Sequence, residues 1–133
     1  MIEKTFQARD DDLEDAVAFA EEELSRLSCS MKTVMQITVC VEEMFVNVAH
    51  YAYGDDGGYV TIVLDYDGKM FSITLIDSGI PFNPLEKDDP DITLSADERD
   101  IGGLGIFMVK KSMDDVFYER CDGKNIFTMK KEI

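Results

Sequence analysis

Two Asp-Gly dipeptides, Asp67-Gly68 and Asp122-Gly123, each separate two runs rich in β-branched and aromatic residues. A two-residue Asp-Gly connection suits the tight turn whose backbone matches the right-handed twist of an antiparallel hairpin. The sequence therefore predicts that Tyr59–Tyr66 pairs with 69–76, and that 114–121 pairs with 124–130. Residues 2–8 have the composition of one further strand. Between these strands the apolar period changes to that of a helix. Leu13, Val17, Ala20, Leu24 and Leu27 recur at helical spacing, which predicts a helix over 12–27. The acids Asp10-Asp11-Asp12 offer its N-cap and favourable charge.

Ser30 is placed to cap a second helix running to about residue 53. Val34, Ile37, Val41, Phe45, Val48 and Ala52 lie on one face of it and are expected in the core. Glu43 and Asn47, one turn apart, project around from that face. The run Gly54-Asp55-Asp56-Gly57-Gly58 ends the helix and turns the chain. A third helix over 104–113 follows a cluster of glycines, with Ile106, Val109 and Met113 as its apolar stripe. The predicted order is β-α-α-β-β-loop-α-β-β. Paired strands with helices gathered on one face imply a single domain, 1–133, of α+β two-layer sandwich type.

Composition removes several classes of function. The chain carries 28 acids against 13 bases, a formal charge of −15. Nucleic acid binding depends on neutralising phosphate with Lys and Arg, so direct nucleic-acid contact is not expected, nor is an anionic membrane surface. The charge serves either solubility or the steering of a basic partner protein. No apolar run approaches the ~18 residues of a membrane span. Met1-Ile2-Glu3-Lys4 lacks the basic and apolar regions of a leader, so the expected location is cytoplasmic. Three scattered cysteines, Cys29, Cys40 and Cys121, read as reduced thiols, with Cys40 as a small core residue. With His50 as the one histidine, a zinc site is not expected. The eight methionines are dispersed as core filler.

Three short groups can carry chemistry. A carboxylate on a half-buried helix face, such as Glu43, is costly without a partner or a task, and an Asn oxygen, such as that of Asn47, is a hard neutral ligand suited to Mg²⁺. Alone, the pair also fits an exposed polar face. In Asp77-Ser78-Gly79, an acid at a strand end can accept from an exocyclic amine, and Gly79 lets a flat ring approach the backbone. Alone, it also fits an ordinary Asx turn. Gly102-Gly103-Leu104-Gly105 opens a helix whose free N–H groups can bind phosphate; alone, it also fits a hinge. The segment from Ser78 to Ile101, with three prolines and many acids, is longer than ordinary connections, which marks it as functional or mobile.

Taken in order, these groups resemble the ATP-binding domain shared by DNA gyrase, heat-shock protein 90, histidine kinases and the MutL repair protein. Within it they are most similar to the anti-sigma factor serine/threonine kinase family. The matching boxes run from Glu42 to Tyr53, from Asp77 to Pro84, and from Gly102 to Lys111. The resemblance implies a mixed, mostly antiparallel sheet with helices on one face. It implies ATP and Mg²⁺ as cofactors, Asn47 as the metal ligand and Glu43 as the general base for a hydroxyl. Asp77 matches the acid that reads the adenine amino group, with Gly79 beside the ring. Gly102, Gly103 and Gly105 match lid glycines around the phosphates, and Arg99 matches a basic residue just before them. The partners implied are an anti-anti-sigma protein as substrate and a sigma factor held on a second surface; the family often forms homodimers, and the sequence leaves the oligomeric state open. Where the family places histidine four residues after the asparagine, this chain has Tyr51, with His50 before it, so His50 is given no role. The alternative to a kinase is a non-catalytic ATP-binding module that works by partner binding.

Overall fold

The computed structural model describes residues 1–86 and 103–133. Its strands are β1 (Ile2–Gln7), β2 (Tyr59–Tyr66), β3 (Met70–Asp77), β4 (Asp115–Cys121) and β5 (Lys124–Glu132). The helices are α1 (Leu13–Ser25), α2 (Met31–Tyr51) and α3 (Gly103–Ser112). The expected order of elements is borne out, and boundaries shift by two residues or fewer at most ends. The strands form one sheet in the order β1-β2-β3-β5-β4. Every ladder between them is antiparallel.

Period-two alternation decides which side chains meet the helices. On β3, Phe71, Ile73, Leu75 and Asp77 are buried while their neighbours are half-exposed. The paired row on β5 is Asn125, Phe127 and Met129, with Asp77 opposite Asn125 and Leu75 opposite Phe127. Each core-facing row thus ends in a polar residue at the same end of the sheet. Over the apolar part lie Ala16, Ala20 and Leu24 of α1, and Ile37, Val41, Phe45 and Val48 of α2. Phe45 is fully buried, and the Phe6 ring meets it edge-on at 6.3 Å. Burial of a side chain that size stabilises by about 1.5–3 kcal/mol. Ile106 and Val109 of α3, with Met113 just past its end, close the core, as their spacing predicts. Cys40 is in that core too, where burial pushes its thiol pKa up to about 11; Cys29, Cys40 and Cys121 are all free thiols.

Ser30 caps α2 as expected, its side chain accepting from Thr33 N–H at 3.1 Å. The acidic cap of α1 does not form. Asp10–Asp12 instead make a 3-10 turn, and Asp12 has helical backbone angles in place of the extended ones that an N-cap needs. Its carboxylate turns back to accept from Gln7 N–H at 3.0 Å and Arg9 Nε at 2.8 Å. That guanidinium holds the Asp12 carboxyl below its usual range. Among the described residues, no helix is long and apolar enough to cross a membrane.

Candidate nucleotide site

α2 is 21 residues long, so it spans about 30 Å and lays its C-terminal half across the polar end of the sheet. There a cleft opens between helix and sheet. Asn47 and Asp77 both line it, with Met44, Val48, Phe82 and Phe127 among the apolar walls. An apolar cleft with a few convergent polar groups is the usual form of a small-molecule site.

The loop after β3 is tied to the end of α2 by two hydrogen bonds, and one of them runs on to β2. Ile80 N–H donates to Ala52 O at 2.9 Å. Ser78 N–H donates to the Tyr53 hydroxyl at 2.8 Å, and that hydroxyl donates to Tyr59 O at 2.6 Å. Gly79 is required by this closeness: a Cβ there would fall on the Ala52 carbonyl. Its smallness therefore serves the helix–loop contact, whereas the sequence suggested only room for a ring.

Asp77 is 6% exposed. Its Oδ1 accepts from Gly79 N–H and from Asn125 Nδ2, both at 2.9 Å. No partner for its Oδ2 occurs among the described residues. Asn47 donates from Nδ2 to Met44 Sδ at 3.9 Å. With Nδ2 so placed, its Oδ1 is without a partner among the described residues. Glu43 sits one turn earlier on α2, half-buried, against the backbone of α3. A Cβ on Gly105 would fall on the Glu43 carboxylate. Among the described residues Glu43 has no hydrogen-bond or ion-pair partner, an expensive state for a half-buried acid that has no task.

The structure therefore brings Asn47 and Asp77 into one cleft, with Glu43 and Gly105 in contact one turn away. Gly103 is the first residue of α3. Arg99 and Gly102 lie outside the described residues. His50 does not line the cleft; its Nε2 pairs with Asp10 at 2.8 Å. Three further residues at this end of the sheet, Tyr118, Arg120 and Asn125, escaped the sequence reading. Asn125 left a signal. Alternation puts it in the core-facing set with Phe127 and Met129, and a buried Asn in a strand needs partners.

The two glycines predict opposite outcomes. Gly79→Ala drives a Cβ into backbone, and is expected to destabilise by about 1–3 kcal/mol. Gly105→Ala meets only the tip of a flexible side chain, and alanine in a helix gains up to ~1 kcal/mol over glycine. Its melting temperature is expected to hold or rise while the Glu43 carboxylate is displaced. Thermal denaturation of both variants checks this pair.

A two-layer α+β domain whose ligand cleft lies between a long helix and the polar end of its sheet is thus the class defined by fold and site. The chain belongs to the histidine kinase-like ATPase domain family, whose model matches residues 6–131. Among curated relatives, the serine/threonine-protein kinase BtrW of Bordetella bronchiseptica is 24% identical over 116 residues, covering 86% of this chain and 82% of the relative. The anti-sigma F factor of Clostridium acetobutylicum is 26% identical over 109 residues, covering 81% and 76%. Among solved structures, that of the RsbU and RsbW domains of Rv1364c from Mycobacterium tuberculosis superposes with a TM-score of 0.64 at 15% identity. It covers 98% of this chain, which corresponds to 32% of that one. The names of the relatives agree with the kinase branch to which the sequence motifs point.

Proposed function

We propose that this protein is an ATP-dependent protein serine/threonine kinase of the anti-sigma type. It phosphorylates an anti-anti-sigma partner and sequesters a sigma factor in the cytoplasm. The observation that carries the reading is the joint placement of Asn47, Asp77 and Glu43. An amide oxygen and a carboxylate converge on one apolar cleft, and an acid with no partner among the described residues stands one helical turn away beside the entry of α3.

The roles follow from the chemistry of each group. Asp77, held by two N–H donors, accepts the amino group of adenine. Asn47 offers its Oδ1 to Mg²⁺. The residues present fit that ion: its remaining ligands would be phosphate oxygens and water, as is usual where magnesium accompanies a nucleotide. The metal, when bound, supplies positive charge against the transferring phosphate. Glu43 accepts the proton of the partner's Ser or Thr hydroxyl. Backbone N–H groups at the start of α3, with Gly103 and Gly105, complement the phosphates, and Gly102 and Arg99 complete that lid. Positioning and electrostatics carry most of the barrier reduction in phosphoryl transfer.

The first test is ligand-dependent stability. MgATP at 100 times its dissociation constant adds about 2.7 kcal/mol to the folded state. For a domain this size the melting temperature should rise on the order of 10 °C. No rise at millimolar MgATP would remove the nucleotide from the proposal. Capture of partners from the native extract, with and without ATP, followed by phosphosite mapping, tests the transfer. Tight capture with no phosphate on the partner would favour the non-catalytic module.

A further inference from the structure

At the cleft end, one row of paired residues crosses all five strands: Phe6, Val60, Asp77, Asn125 and Arg120. The last three are polar and hydrogen-bonded in series. Asn125, 5% exposed, is the middle member. Its Oδ1 accepts from the Tyr118 hydroxyl, from Arg120 Nη1 at 3.1 Å and from Phe82 N–H at 3.3 Å. Its Nδ2 donates to Asp77 Oδ1 at 2.9 Å and to Ile80 O at 2.7 Å.

An amide has an accepting side and a donating side, and here the surroundings leave one orientation. Reversed, its NH₂ would face three donors and its oxygen would face a carboxylate and a carbonyl. Arg120 is the charged member of the three donors. The same Nη1 also donates to Gly79 O at 2.9 Å. One guanidinium nitrogen thus holds both the amide that orients Asp77 and the backbone of the turn that follows it.

We propose that Arg120 is a positioning residue for purine selectivity. By fixing Asn125 and Gly79 it keeps Asp77 aligned as a pure hydrogen-bond acceptor. Such an acceptor takes the 6-amino group of adenine and repels the 6-carbonyl of guanine. The assignment rests on the ATP reading above, and goes beyond it by giving base discrimination to the β4–β5 hairpin.

The test is equilibrium binding of MgADP and MgGDP to the whole chain, to Arg120→Ala and to Arg120→Lys. Arg120 is exposed but donates to a buried amide, so both variants should stay folded, with the melting temperature of Arg120→Ala lowered by up to about 5 °C and that of Arg120→Lys by less. The parent should prefer MgADP. Arg120→Ala should narrow that preference by roughly tenfold, chiefly through weaker MgADP binding, as expected for loss of a charged hydrogen bond. Arg120→Lys should restore most of it, because a single nitrogen serves both acceptors. An unchanged MgADP-to-MgGDP ratio in Arg120→Ala overturns the assignment, even if both affinities fall, and leaves the ATP reading standing. A parent chain that binds neither nucleotide overturns both.

Discussion

Glu43→Gln should abolish most phosphoryl transfer while leaving ATP in place. Glutamine has the shape of glutamate, and Glu43 has no hydrogen-bond or ion-pair partner among the described residues to be broken. The fold and the cleft should therefore be unchanged. What is lost is the capacity to take a proton. Removal of a positioned general base costs about 10²–10⁴-fold in rate, equivalent to roughly 3–5.5 kcal/mol of barrier. The measurement is single-turnover transfer from labelled ATP to the captured partner, alongside nucleotide binding by the same variant. Equal transfer rates in parent and variant would end the general-base assignment. The contact with Gly105 makes the prediction sharper, since Gly105→Ala should depress transfer by moving the same carboxylate.

Asn47→Ala should act at a different step. Asn47 lines the cleft, and its side-chain donor is already engaged with Met44. Its oxygen is the atom left for a hard cation. Truncation should weaken nucleotide binding only when magnesium is present. If the loss is comparable to that of a contact with a charged group, about 1.5–3 kcal/mol, affinity falls roughly 10- to 150-fold. Titration with ADP in magnesium and then in a chelator separates the two conditions. A loss of equal size in chelator would show that Asn47 acts on the nucleotide or the fold, with no part in holding the metal.

The two variants divide the site along the helix that carries it. Glu43 and Asn47 are one turn apart, yet one packs against α3 and the other faces the cleft toward β3. A single rigid helix can therefore set the proposed proton acceptor and the proposed metal ligand at a constant separation. The end of that helix is pinned to the loop after β3 through Ala52 and Tyr53. Those ties join Asp77, the acid proposed to read the base, to the same rigid body.

Local pattern carried most of the fold. Both Asp-Gly pairs marked a hairpin, but only Asp122-Gly123 forms the expected two-residue turn, with positive φ at both residues; at Asp67-Gly68 Tyr66 pairs with Phe71, so four residues make the connection. Period-3.6 spacing set three helices and named Ile106, Val109 and Met113 as one buried stripe. Ser30 marked the start of α2 because capping is a contact within one turn. Glu43, Asn47, Asp77 and the glycines were visible as residue types of suitable chemistry in a suggestive order. What local pattern could not supply was any fact that depends on residues far apart in the chain. One failure was local: the aspartates before α1 had the composition of a cap, but Asp12 accepts instead from Gln7 and Arg9, five and three residues before it. The requirement for Gly79 comes from Ala52, and that for Gly105 from Glu43. Asn125, Tyr118 and Arg120 join the site only because β5 pairs with β3 in a register that sets Asn125 opposite Asp77. Periodicity acts through neighbours along the chain, so the sequence by itself determined the elements and their buried faces. Register and close packing act between segments, so only the tertiary structure decided which polar ends meet and which side chain each glycine makes room for.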